Sequence, residues 1–344
     1  MNMTHSYNRN ISLDLIKVIA MTYVMLLHSV HAVTSNILCF VLATMSGIAI
    51  PLFFMVSGFL LIGKQKDWRY SSNKVVAILK LGFLLAFPIA VVRRIIAPEL
   101  WLNAEIWVKE LVGPYLQRHS VLWTLWYLGA MIFIYFALPL ITKLYSKYGK
   151  LFLISGTMIF GVICNIFYTL DVTENFERGV YQTFRVYNWF LYFFLGGLLR
   201  AFMPEIKKRL NKITHSNFLI LLPAILCACF YCLYLRYISF PYNPGVEYQF
   251  GSGICILYSI VTFISLYLYK PGRGLSRCIK NVSELFLPAF ILHVFVLHWL
   301  YSLVPLTLLG SYTYILRFVI VYPVTLGISY IIMRTRIGRW IFHL

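Results

Sequence analysis

Apolar residues run along this chain in blocks, each closed by a short polar or basic stretch. A helix needs about 20 predominantly apolar residues to span the hydrocarbon core of a bilayer. Ten blocks reach that scale, at residues 14–34, 38–62, 76–96, 121–141, 151–170, 187–203, 217–237, 250–269, 285–305 and 312–333. The predicted fold class is therefore all-α, a polytopic membrane protein of ten transmembrane helices. Residues 1–344 read as one integral-membrane domain. The longest stretch between blocks is about residues 97–120 and leaves no room for a soluble domain. No small-residue cleavage site follows the first long block, so it reads as a spanning helix and not as a signal peptide.

Composition agrees. Hydrophobic residues make up 60% of the chain and charged residues 12%, against about 45–50% and about 25% in soluble domains. The formal net charge of +19 would suggest nucleic acid in a soluble protein. Here the basic residues cluster between apolar blocks, so no nucleic-acid partner is expected. With the N-terminus inside, 22 of the 30 Lys and Arg fall on the cytoplasmic side and 8 on the other. That bias follows the positive-inside rule and puts both termini in the cytoplasm. Seven Cys are scattered, and Cys227, Cys229 and Cys232 lack the spacing of a zinc site. They read as apolar packing, and no metal is expected.

Charge inside a bilayer is costly and usually functional. The first block carries Asp14, Lys17, His28 and His31. At about 100° per residue, Lys17 and His28, eleven residues apart, share one helix face, separated by about 16 Å along the axis. Asp14 lies one turn before Lys17 and His31 one turn after His28. Such a stripe must face the bundle interior or a wet cavity, and the reading is one wet passage through the first helix. Lys17 would draw in an anion, and His28, with an ordinary pKa of about 6.5, suits a general base. The alternative is an Asp14–Lys17 boundary ion pair and a His28 that only packs. In the ninth block His293 and His298 are about 140° apart and do not form a metal pair. Arg93, Arg94, Arg236 and Arg317 sit near block ends, where snorkelling is the default. Ser57 and Gly58 let a backbone or a ligand approach closely. The 97–120 loop, with Trp101, Trp107, Tyr115, Glu99, Glu105, Lys109 and Glu110, suits the membrane surface. The 171–186 loop, with Asp171, Glu174, Glu177, Arg178 and Arg185, suits a polar mouth.

These residues carry a likeness. Leu13-Asp14-Leu15-Ile16-Lys17, ten residues, then His28 resembles the opening of the acyltransferase 3 family, whose signature is a basic residue, ten residues, then His. Pro51-Leu52-Phe53-Phe54-Met55-Val56-Ser57-Gly58-Phe59 resembles its second-helix motif. Leu125-Trp126-Tyr127-Leu128, Phe194-Leu195-Gly196-Gly197 and Phe290-Ile291-Leu292-His293 resemble three further segments in the family's order. The likeness covers nearly the whole chain, and the His293 and His298 pair also resembles the family's short members. Lys17 stands where Arg is usual, which keeps the charge and loses the bidentate fork. Thr124 stands where His commonly precedes Leu-Trp. Phe286, Pro288 and Phe290 replace the usual residues before His293.

The resemblance implies an O-acyltransferase of the bacterial inner membrane. It would move an acyl group, most often acetyl, from cytoplasmic acetyl-CoA to a hydroxyl of a lipid-linked or cell-surface polysaccharide. His28 would be base or nucleophile, and Lys17, paired with and held by Asp14, would complete the catalytic set. Lys17, Ser57, Lys74 and Lys80 would meet the CoA. His31, Trp126, Tyr127 and His293 would line the cavity. The implied partners are membrane lipid and the glycan acceptor, with the oligomeric state open. A transporter or flippase of a polysaccharide lipid intermediate also suits ten spans with buried charge, although residues 1–170 and 171–344 show no convincing inverted repeat. A structural subunit of an export complex is the third reading.

Overall fold

The computed structural model describes residues 9–32, 35–97, 103–116, 122–174, 179–214, 216–239, 249–305 and 308–342. Among them every regular element is helical. Asn10 begins the first helix, α1 (Ile11–Ser29), by accepting the backbone N–H groups of Ser12 and Leu13 on its side chain. An N-cap side chain of this kind satisfies donors that the helix itself leaves orphaned. Asn36 caps α2 (Ile37–Met45) in the same way, and a 3-10 turn, Ser46–Ile48, joins it to α3 (Ala49–Leu61). Asp67 caps α4 (Trp68–Ile96), and Asn103 caps the short α5 (Ala104–Val112).

The next helix, α6 (Trp126–Glu174), leaves helical geometry at Gly149, with φ 59° and ψ −140°, so it is two helices joined at a kink. A left-handed φ is cheap only for glycine, which is why the break falls there. Then come α7 (Val186–Ile213), α8 (Asn217–Tyr234) closing in a π turn, and α9 (Gly253–Leu268), capped by Ser252. A strongly amphipathic helix, α10 (Arg273–Glu284), precedes α11 (Phe286–Leu303), α12 (Thr313–Arg334) and α13 (Arg336–Phe342).

Among the described residues, eight helical stretches are long and apolar enough to cross a membrane. The stretch Trp123–Leu170 contains the Gly149 break, and Gly253–Leu268 is a shorter apolar helix of 16 residues. Each of the ten blocks of the sequence pattern overlaps one of these helices, but the stretches that meet the length and apolarity of a span number eight among the described residues, not the ten expected. Large apolar side chains such as Phe83, Met158, Ile159, Phe230 and Ile331 remain exposed on their outer faces. In water that would be unfavourable, whereas a lipid-facing surface requires it.

Helix α1 is the hub, packed by α3, α9, α10, α11 and α12. Its middle, Ile16, Ala20, Met21 and Met25, is fully buried. Helix α3 crosses α7 at backbone contact. A Cβ placed at Gly58 would overlap the Phe193 carbonyl oxygen, and one at Gly196 the Met55 carbonyl oxygen. Two glycines let the backbones touch, as small residues do in membrane helix pairs. The close approach read at Gly58 is therefore made by a backbone.

Arg94 and Arg317 do not snorkel. Arg94 is fully buried and ion-paired with Glu110 of α5, with Trp107 stacked 3.6 Å from its guanidinium. Arg317 is 3% exposed and donates to the Val304 carbonyl through Nε and Nη2, at 3.0 and 2.6 Å, closing the end of α11. Both findings follow from the rule that a buried cation needs a partner, which Glu110 and the Val304 carbonyl supply. Glu99 and Trp101, together with Glu177, Arg178 and the side chains of Asp171 and Glu174, lie outside the described residues.

Candidate active site

The two ends of α1 open into different cavities that share no lining residue. At the Asn10 end lies a basin of about 930 Å³ containing Asp14, Lys17, Lys64, Arg200 and Lys207. Asp14 is 4% exposed and lies between two cations. Lys17 Nζ is 3.6 Å from one carboxylate oxygen, and Arg9 Nε is ion-paired with the other. Arg9 extends its fork to α10, reaching Glu284 at 2.6 Å, Ser283 and the Lys280 carbonyl. Partial burial works against the Arg9 charge, yet Asp14 and Glu284 hold its pKa above the ordinary value. With Arg9 satisfying Asp14, Lys17 keeps charge to spare for an anion in the basin. Arg200 donates to the Phe59 carbonyl at 3.0 Å and so stays at the basin wall.

The basin rim continues sideways. Lys66, outside the helices, has its pKa lowered first by partial burial and then by Lys64 and Lys74. Lys64 lines the basin, and Lys74 lines a slot of about 320 Å³ beside it, so one positive rim serves both openings. Ser57 and Tyr127 also line this slot. Lys80 lines neither; its amine lies 3.6 Å over the Trp340 ring, against the C-terminal helix.

At the far end of α1 is a third cavity, of about 410 Å³, lined by His28, His31, Trp123, Thr124, Trp126 and His298 among others. The His28 imidazole stacks on His293, centroids 5.3 Å apart and planes 16° from parallel. Trp123 meets it edge-on at 4.7 Å. His293 is fully buried, with Nδ1 2.7 Å from the Phe290 carbonyl oxygen and Nε2 without a hydrogen-bond partner. Thr124, on the cavity wall, likewise has a buried hydroxyl without a partner. Buried polar atoms left unpaired are rare and costly. Here two of them flank the His28 imidazole's cavity, which suits a site completed by a polar ligand. His31 faces Tyr314 edge-on at 5.0 Å.

The structure thus gathers His28, His31, Trp126 and His298 in one cavity, with His293 behind His28. It gathers Asp14 and Lys17 in the basin, and Ser57, Lys74 and Tyr127 in the slot. The single passage expected along α1 is interrupted by the buried Ala20 and Met21. Sequence reasoning missed Arg9, which precedes the first block, and Arg200, which reads as an ordinary inner-loop charge. It also missed Trp123, whose only signal was its place beside Trp126. Among the described residues, no group of three or more His, Cys, Asp or Glu comes together as metal ligands do.

A family model described as an acyltransferase domain matches residues 10–334. No curated protein and no solved structure matches the chain.

Proposed function

The chain belongs to the acyltransferase 3 family of membrane acyltransferases, and from that premise we propose that it moves an acetyl group from cytoplasmic acetyl-CoA to a hydroxyl of a lipid-linked or cell-surface polysaccharide. In this reading ten helices cross a bacterial inner membrane and both termini are cytoplasmic. The basic rim is then the donor's side, and the His28 cavity is the acceptor's. The observation that carries the reading is the separation of the two along α1: a cationic basin around Lys17 at one end and a histidine-lined polar cavity at the other.

Each group has a task that its chemistry permits. Lys17, Lys64, Arg200 and Lys207 attract the CoA phosphates, while Asp14, held by Arg9, orients Lys17. His28 accepts the proton of the acceptor hydroxyl as that oxygen attacks the thioester carbonyl carbon. The new C–O bond forms, the C–S bond breaks, and the CoA thiolate leaves with the proton returned from the His28 imidazolium. The unpartnered Thr124 hydroxyl is suited to hold the sugar. Stacking on His293 and the edge of Trp123 restrict the His28 ring to few orientations, which lowers the entropy lost on reaching the transition state.

The test is purified protein in lipid nanodiscs with acetyl-CoA, with and without total lipid-linked glycan. Free CoA released only when acceptor is present, with an acetyl mass increment on the glycan, is the expected result. Glycan flipping without CoA release would replace this reading with a transporter.

A further inference from the structure

Of the basin and the slot, which share the basic rim, the slot comes nearer to the far cavity that His28 lines. Along α1 the basin reaches Lys17 and the far cavity begins at Val24, seven residues or about 10 Å apart. Ala20 and Met21, both fully buried, fill that interval. Along α11 the slot reaches Leu287 and the far cavity begins at Phe290, three residues or about 4.5 Å away. On α6 the neighbours Trp126 and Tyr127 line the far cavity and the slot respectively.

A single layer of rings fills this narrow gap. Tyr127 meets Phe290 with centroids 5.7 Å apart and Phe53 at 5.6 Å, and Phe53 meets Phe286 at 4.9 Å. Ser57 donates to the Phe53 carbonyl at 2.9 Å, which ties the slot floor to the ring layer. The slot's own wall is mostly aromatic and aliphatic, including Met131, Tyr135 and Phe342, with Lys74 as its one cation among the described residues. Such a slot suits a ligand with a thin, weakly polar arm and a polyanionic head left outside on the rim that Lys64, Lys66 and Lys74 share.

We infer that this slot receives the acyl-bearing arm of the thioester donor, and that Tyr127 and Phe290 act as a ruler that restricts the enzyme to short acyl chains. The inference rests on the acyltransferase reading above and adds to it a route and a specificity determinant. A short acyl group reaches the ring layer and slips past it to His28. A longer one meets rings packed on both faces, where each added methylene must displace close-packed atoms. Chain length is then set by the slot's depth, with no contact to His28 itself.

The experiment has two independent arms, both on the full-length protein in nanodiscs. In the first, CoA release is followed with acetyl-, butyryl- and hexanoyl-CoA for wild type, Phe290→Leu, Tyr127→Ala and the ring-preserving control Tyr127→Phe. The expected result is acetyl preference in wild type and in Tyr127→Phe, and a hexanoyl-to-acetyl ratio raised about tenfold or more in the other two. In the second, Ser57→Cys is labelled with a small maleimide and the labelled peptide is quantified by mass spectrometry. Acyl-CoA, but not free adenosine 3′,5′-bisphosphate, is expected to protect it. Unchanged chain preference in folded variants, or labelling indifferent to acyl-CoA in a protein that turns over, overturns the slot. Protection with altered chain-length dependence but no turnover to any glycan supports the slot and removes the transferase reading. Neither protection nor turnover removes both.

Discussion

His28 and His293 stack within 16° of parallel at a centroid separation of 5.3 Å, although 265 residues separate them in sequence. One is half-buried and lines the cavity; the other is fully buried behind it, anchored by the Phe290 carbonyl oxygen. The pair gives the cavity one accessible imidazole on a fixed backing, which is the arrangement a proton-transfer group needs.

Replacing the accessible member is therefore expected to remove chemistry and leave the fold. His28→Ala should lower turnover about 10²- to 10⁴-fold, the usual share of a general base, with unchanged membrane abundance and melting temperature. Normal turnover by a normally inserted His28→Ala protein would take this residue out of the mechanism.

The buried member is expected to act through the first. His293→Phe keeps an aromatic ring for stacking and removes both the anchor to the Phe290 carbonyl and the unpartnered Nε2. We expect kcat to fall while KM for acetyl-CoA stays constant, because the donor rim is at the other end of α1. A rise in KM alone, with kcat preserved, would mean that His293 serves donor binding and not the His28 ring.

Lys17 tests the opposite end. Lys17→Arg keeps a cation at the position from which the Lys17 amine lies 3.6 Å from Asp14, and should retain activity. Lys17→Ala leaves Asp14 to Arg9 alone and removes a charge from the basin. It should raise KM for acetyl-CoA about tenfold, equal to about 1.4 kcal/mol, and should flatten its dependence on ionic strength. Equal KM values at low salt for Lys17→Ala and wild type would refute a donor-binding role.

The spans were legible in the sequence because hydrophobic length is a local property; Ile37–Leu61 and Phe286–Leu303 fall within a residue or two of the expected 38–62 and 285–305. The site was only partly legible, for a physical reason. Helical periodicity places Lys17 and His28 on one face, but it does not report what packs against the turns between them. Ala20 and Met21, on the same helix, are sealed by neighbours from distant parts of the chain, so a common face became two cavities. Arg94 was misread similarly: a cation near a helix end snorkels unless an acid approaches, and Glu110 arrives from α5.

That ion pair makes a stability prediction. Arg94 is fully buried, donates to the Ala90 carbonyl at 2.9 Å and has Nε and Nη2 unpartnered, so its charge is balanced chiefly by Glu110. Arg94→Met leaves the Glu110 carboxylate, 8% exposed, to Arg93 alone, whose Nη1 lies 2.7 Å from its other oxygen, and should cost up to about 3 kcal/mol. Adding Glu110→Leu to the same protein should recover part of that loss, since an apolar pair of similar volume is often neutral or better. Thermal unfolding in detergent distinguishes the two cases. A double variant no more stable than Arg94→Met would show that Arg94 matters through its stacking on Trp107 and not through the ion pair.

The crossing of α3 and α7 allows a comparison in which one substitution has opposite signs at different sites. At Gly58 an added methyl group overlaps the Phe193 carbonyl, and at Gly196 the Met55 carbonyl. Backbone cannot yield as a flexible side chain does, so Gly58→Ala and Gly196→Ala must separate the helices and should each cost about 1–3 kcal/mol or more. At Gly161, within α6, the nearest foreign atom is Leu191 Cδ1 at 4.0 Å, and at Gly327, within α12, nothing lies within 4 Å. There alanine adds only helix propensity and should be neutral or stabilising by up to about 1 kcal/mol. Melting temperatures of the four variants in one detergent check the pattern. Because Gly58 follows Ser57 on the slot wall and α3 also carries Phe53, Gly58→Ala should in addition depress turnover more than its stability loss accounts for. Gly196→Ala, on the helix across the crossing, should lose activity only in step with folded protein. Equal melting temperatures for Gly58→Ala and Gly161→Ala would show that the two backbones are not in contact at this crossing.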